Sequence, residues 1–218
     1  MRSIALLSAA MAWLLLAVGC GQTSDCGAPG LPLAAHDPRR DTQAACHHNE
    51  KAAGFLEAGK LSAAEEELKA AIQADPFYGP AHNNLGTVYF RQKRYYVAAV
   101  EYQYAAKLMP HRAEPLSNLG LLMETVGRLD DAARHYEDAY RLQPDHPEVI
   151  ANLTRAYVRA NRKDASTRDL LKEILLRDSR QEWIAWARER LATMGASEAP
   201  IVNAEPQPPT TEPATHEP

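Results

Sequence analysis

The chain lacks a surplus of positive charge, is poor in cysteine, and has no apolar run of comfortable membrane-spanning length. Its 218 residues carry 24 Lys and Arg against 28 Asp and Glu, a formal net charge of −4. Nucleic-acid partners call for a basic surface, so that class is not expected. All three cysteines, Cys20, Cys26 and Cys46, fall in the first quarter of the sequence. Also missing are a Ser-His-Asp ordering, a phosphate-cradling glycine loop, a Cys-x-x-Cys pair and a paired-carboxylate site. Catalysis is therefore not expected, and no cofactor is implied. His47 and His48 stand beside Cys46, with His82 one period later, but their spacing matches no common metal-ligand motif.

The N-terminus does carry information. Arg2 precedes an uncharged apolar run from Ile4 to Val18. A helix crossing a bilayer core needs roughly 20 such residues, so this run reads as an export signal rather than an anchor. It ends Leu16-Ala17-Val18-Gly19-Cys20, which resembles a bacterial lipobox, with Ala17 standing where Leu is usual. The resemblance implies a signal peptide over residues 1–19, cleavage before Cys20, and acylation of Cys20, palmitate included. The plainer alternative is an ordinary secretory signal that happens to contain Cys20. Gly21, rather than Asp, follows the cysteine, so the resemblance implies sorting to the outer membrane, with the folded part in the periplasm. Residues 20–44, rich in Gly, Pro, Asp and Ser without apolar periodicity, are expected to be a flexible tether. In an oxidising compartment Cys26 and Cys46 form an even pair that can close a disulfide; the alternative is two free thiols.

Beyond the tether a period dominates. Pro76, Pro110, Pro144 and Asp178 stand 34 residues apart each time. In that register Ala52, Gly86 and Gly120 share a column, as do Ala64, Ala98 and Ala132, and Ala71, Ala105 and Ala139. Four units follow, over 45–78, 79–112, 113–146 and 147–180. Within a unit, apolar residues recur at helical spacing on two successive stretches, as with Leu119 and Met123, then Ala132, Tyr136 and Ala139. Gly59 and Gly127 fall between the stretches, where a turn favours glycine, and the prolines terminate the second.

The set Leu85-Gly86, Tyr89, Tyr95, Ala98, Tyr102, Ala105 and Pro110 resembles the signature of the tetratricopeptide repeat (TPR) family. The resemblance implies an all-α, right-handed helical solenoid of four helix pairs, each unit stabilised by its neighbours. Unit four departs from the pattern: Thr154 replaces the column's Gly, Ser166 and Glu173 its Ala, and Asp178 its Pro. A terminal unit is expected to be atypical. Residues 181–194, with Trp183, Ile184, Ala187 and Leu191 on one face, read as a capping helix. Residues 195–218, rich in Pro, Glu, Thr and Ala, are expected to be disordered.

By resemblance to the family, the first helix of each unit lines a concave groove. Asn84, Asn118 and Asn152 recur at the sixth position of their units and resemble the asparagine ladder in the TPR arm of O-GlcNAc transferases. Such a row can offer donors and acceptors to the backbone of an extended peptide; the alternative is that it serves contacts between repeats. Asn83, Phe90, Arg91, Arg155 and Arg159 complete the candidate groove. Phe90 is expected as an exposed aromatic anchor, and Arg155 and Arg159, one helical turn apart, as a pair able to meet a partner's carboxylate. The two-lysine carboxylate clamp of chaperone-binding TPR proteins is absent, because Ser117 stands where it needs Lys.

These features lead to an expected lipid-anchored, periplasmic scaffold that binds a protein or extended peptide. Small TPR lipoproteins of pilus assembly and those recruiting peptidoglycan hydrolases share this layout. The alternative reading is an enzyme or a metal or cofactor carrier of the cell envelope.

Overall fold

A computed structural model describes residues 40–196. The signal segment, Cys20 and Cys26, most of the tether, and the segment beyond residue 196 lie outside the described residues.

Among the described residues the chain forms nine α-helices and no strand. They are α1 (Thr42–Glu57), α2 (Leu61–Ala74), α3 (Gly79–Arg91), α4 (Tyr95–Leu108), α5 (Glu114–Thr125), α6 (Leu129–Leu142), α7 (Pro147–Arg159), α8 (Ala165–Arg177) and α9 (Gln181–Ala196). None is long and apolar enough to cross a membrane. The stretch Thr42–Ala44, which composition assigns to the tether, is the first turn of α1. It is helical because the Asp41 carboxylate accepts from Ala44 N–H at 2.8 Å and caps that end. At the other end α9 runs two residues past the expected cap, through Gly195 to Ala196.

The 34-residue period has a backbone cause. Each unit turns between its helices on one residue with positive φ: Gly59 (71°), Lys93 (62°), Gly127 (81°) and Asn161 (55°), spaced by the same period. The residue after each of them donates its N–H back across the turn, as from Arg94 to Tyr89 O at 2.8 Å and from Arg128 to Met123 O at 2.9 Å. These bonds satisfy carbonyls left open at the helix end. Proline lies in the first turn of α3, α5 and α7, where no N–H is needed.

Within each unit the two helices pack against each other, and each second helix packs on the first helix of the next unit. First helices also meet first helices, α1 with α3, α3 with α5 and α5 with α7. The inner surface of the stack is therefore built by α1, α3, α5 and α7, and α2, α4, α6 and α8 form the outside.

Packing inside a unit follows a size exchange. A Cβ on Gly86 would sit 2.6 Å from Tyr102 Cδ1, and one on Gly120 would sit 2.6 Å from Tyr136 Cε1. The glycine thus accommodates the opposing tyrosine ring. Units one and four use the other solution, Ala52 with Leu68 and Thr154 with Leu170, all buried. Thr154 is buried where glycine is expected because its hydroxyl donates to Ile150 O at 2.6 Å, inside its own helix.

The apolar core has two main bodies. One fills α1–α4 and takes in Leu119 and Leu122 of α5. The other runs from Ala132 through α7 and α8 to Trp183, Ala187 and Met194 of α9, which caps the stack as the sequence implies. At the start of the stack, Arg40 grips the fully buried Asp75 through Nε at 2.7 Å and Nη2 at 2.8 Å. Cys46 is buried and disulfide-bonded, and its partner cysteine lies outside the described residues.

Candidate functional site

The concave face holds the asparagine column, and its geometry separates the three members. Asn84 donates Nδ2–H to Asn49 Oδ1 at 2.9 Å, and Asn118 donates in the same way to Asn83 Oδ1 at 2.9 Å. Each bond joins a sixth-position residue to the fifth position of the preceding unit. The carboxamide oxygens of Asn84 and Asn118 have no partner among the described residues. The side chain of Asn152, half-buried on α7, makes no hydrogen bond with any described residue. So two asparagines tie repeats together with one edge and leave an acceptor, while the third leaves its whole amide.

The same step of one period plus one residue recurs elsewhere on this face. Arg91 Nη1 donates to Leu56 O at 2.7 Å, at the end of α1, a carbonyl that also accepts from Gly59 N–H at 3.1 Å. Arg159 Nη1 donates to Glu124 Oε1 at 2.6 Å. These arginines are staples between units.

Arg155 corrects the sequence expectation most strongly. Expected on the groove to meet a partner's carboxylate, it is buried and meets one from its own chain. Arg155 Nε and Nη2 donate to Glu124 Oε1 and Oε2 at 3.1 and 3.0 Å, and the Tyr136 hydroxyl donates to Glu124 Oε2 at 3.1 Å. The reason is twofold: Glu124 occupies a column that is Leu56, Phe90 and Val158 in the other units, and Trp183 of α9 packs beside the guanidinium, 5.9 Å from Arg155 Cζ. Burial alone would raise the Glu124 carboxyl, but the hydrogen bonds and charges of Arg155 and Arg159 outweigh it and hold the group below the ordinary glutamate range. Arg159 keeps half of its side chain in solvent, 52% exposed, at the mouth of this pair.

Phe90 is not the freely exposed aromatic expected from its column. It is half-buried, packs on the first core body, and lies 5.7 Å from the Tyr95 ring. Asn83 is half-buried and serves as the acceptor for Asn118.

His48 and His82 have partners within the chain. His48 Nδ1 lies 2.6 Å from Glu67 Oε2, and His82 Nδ1 lies 2.7 Å from Glu101 Oε2, the same pairing one period apart. Among the described residues no cluster of three metal-ligating side chains forms.

Sequence reasoning did not find the bonds that Asn49 and Glu124 make across units. Both left a signal: Asn49 and Asn83 share the fifth column, and Glu124 is the only charged residue in a column of large apolar ones.

Comparison with known proteins agrees with this architecture. Two family models, each described as tetratricopeptide repeat, match residues 50–115 and 125–185. A tetratricopeptide repeat protein from Parabacteroides merdae is 24% identical, with a TM-score of 0.60 over 71% of this chain and 61% of that one. PilF of Pseudomonas aeruginosa is 21% identical, with a TM-score of 0.59 over 74% of this chain and 76% of its own. The first TPR of Spaghetti (RPAP3), solved with an HSP90 peptide, is 24% identical, with a TM-score of 0.54 over 57% of this chain and 99% of its own. No curated protein sequence matches significantly. Two repeat models over most of the described stack, together with the shared solenoid fold, show that this chain belongs to the tetratricopeptide repeat family.

Proposed function

We propose that the chain is a lipid-anchored scaffold of the bacterial cell envelope whose concave face holds an extended segment of a protein partner. The observation that carries the reading is the column of Asn84, Asn118 and Asn152, with carboxamide atoms left over after the internal bonds are made. Packed helices stand 8–10 Å apart, and an extended chain covers about 10 Å in three residues. One asparagine per unit therefore matches every third peptide residue, and amides recognise backbone rather than sequence. Half-buried Phe90 and Leu121 supply an apolar wall beside the row. Two proteins of this fold support the idea by analogy: the Spaghetti unit bound to the peptide SRMEEVD, and YrrB, described as having an unusual peptide-binding site.

The anchor is Cys20 in the lipobox-like sequence, and the face served is the periplasmic side of the outer membrane. The disulfide at Cys46 agrees with an oxidising compartment. With Cys20 acylated through its sulfur, Cys26 is the cysteine left to pair with it. Assembly of pili or of the cell wall is the kind of process such a scaffold serves.

Asn152→Ala tests the groove cleanly, because the wild-type side chain makes no internal bond to lose. Captured partner protein should fall at least five-fold with the melting temperature unchanged. Equal capture by the Asn84→Ala/Asn118→Ala/Asn152→Ala chain would reject the ladder. For the anchor, a palmitate analogue should label the wild type and not Cys20→Ala.

A further inference from the structure

We propose that the outer face of α4 is a docking site for the chain's own C-terminal segment, residues 205–212, bound in cis. The repeats act as controls for one another here. At three outward positions of the second helix, unit one has Ser62, Glu66 and Ala70, unit three has Asp130, Arg134 and Asp138, and unit four has Asp164, Arg168 and Lys172. Unit two alone has Tyr96, Val100 and Tyr104, which are 84%, 47% and 37% exposed. Stacking of the repeats does not require them, because the other three units stack with small or polar residues at the same places. They lie at i, i+4 and i+8, on one helical stripe.

The stripe is shaped and bounded. The His82 ring meets Tyr104 edge-on, centroids 4.6 Å apart, and His82 is itself held by Glu101 at 2.7 Å and by Pro76 O at 3.0 Å. Tyr104 is thereby fixed in direction. Lys93 and Lys107, both exposed, stand at the two ends of the stripe, and neither forms an ion pair with a described residue. Their separation along the helix is about 20 Å at 1.5 Å per residue.

The segment Glu205-Pro206-Gln207-Pro208-Pro209-Thr210-Thr211-Glu212 fits that frame. Taken up in the polyproline II conformation that suits proline-rich chains, at about 3.1 Å per residue, it would span about 22 Å from Glu205 to Glu212. Two carboxylates then face two ammonium groups, with proline rings between them on the tyrosine faces, a known mode of pairing proline with aromatic side chains. The segment contains no Lys or Arg to oppose this. Ala196 and Glu205 are nine residue steps apart, a reach of about 30 Å. The α4 layer lies three helix layers from α9, also about 30 Å at the usual packing distance.

Photocrosslinking in the full chain tests the assignment. Gln103→p-benzoylphenylalanine puts the probe on the exposed face beside the stripe and leaves both tyrosines and both lysines in place. Irradiation should yield crosslinks to residues 197–218 at monomer mass. The yield should fall at least five-fold in Lys93→Glu/Lys107→Glu and return when Glu205→Lys/Glu212→Lys is added. Crosslinks only in a dimer-mass species would assign the face to a second copy's segment and overturn binding in cis. Absence of crosslinks to the segment, or a yield indifferent to the charge swaps, would overturn the docking itself.

Discussion

Arg155 and Glu124 form a two-pronged ion pair buried between the third and fourth units, at 3.1 and 3.0 Å. The pair sits where the first core body gives way to the second, so the polar link ties the two halves of the stack. Removing one partner strands the other without water. Glu124→Ala should cost about 3–5 kcal/mol in urea unfolding, while Glu124→Leu/Arg155→Met should recover most of it. A loss in the double variant as large as in the single would show that the pair is not an isolated unit.

The same carboxylate makes stability depend on pH. Its folded-state pKa lies below the ordinary value of 4.5, because the arginine contacts outweigh burial. A depressed carboxylate contributes its stability above the unfolded value and loses it as pH falls through the folded one. Asp75 and Asp178 shift in the same direction; burial opposes the shift, and Arg40 and Arg180 outweigh it. Wild type should therefore lose stability below about pH 4.5, and Glu124→Gln should show a shallower loss because one buried contributor is gone. Equal slopes in denaturant melts across that range would remove Glu124 from the acid transition.

Gly86 and Tyr102 give a rescue prediction. Gly86→Ala places a Cβ against the ring and should cost about 1–2 kcal/mol, after the helix propensity gain of about 1 kcal/mol. Adding Tyr102→Leu recreates the Ala52–Leu68 pairing of unit one and should recover at least half. In unit three the matching double change should rescue poorly, since the Tyr136 hydroxyl is a donor to Glu124. Thermal unfolding of the wild type, the two single variants and the two double variants separates the two cases.

Lys93 adopts the left-handed conformation that glycine occupies in units one and three. Lys93→Gly should stabilise by about 0.5–1 kcal/mol, a rise in melting temperature of about 1–4 °C. Nothing lies within 4 Å of a Cβ on Gly127, so Gly127→Ala should destabilise through the backbone alone. A lower melting temperature for Lys93→Gly, or an unchanged one for Gly127→Ala, would contradict this assignment of the turn.

Column comparison made the fold legible, because residues in equal places of each unit meet equal neighbours. Pro76, Gly59, Gly86 and Ala98 could all be placed from that rule. The site was less legible because its bonds join unlike columns. Asn84 reaches Asn49 and Arg159 reaches Glu124, each one residue out of register, since the stacked units are offset. Burial of Arg155 also depends on Trp183 of α9, an element outside the period altogether.

The proposed role stands most directly on what touches the concave face in the cell. A photocrosslinker at Leu121, on the inner surface of α5, should capture a second polypeptide, whereas one at Arg134 on the outer surface should not. The Leu121 adduct should disappear when Asn84, Asn118 and Asn152 are all changed to Ala. No adduct at Leu121, or an adduct unchanged in the triple variant, would contradict a peptide held by the asparagine column.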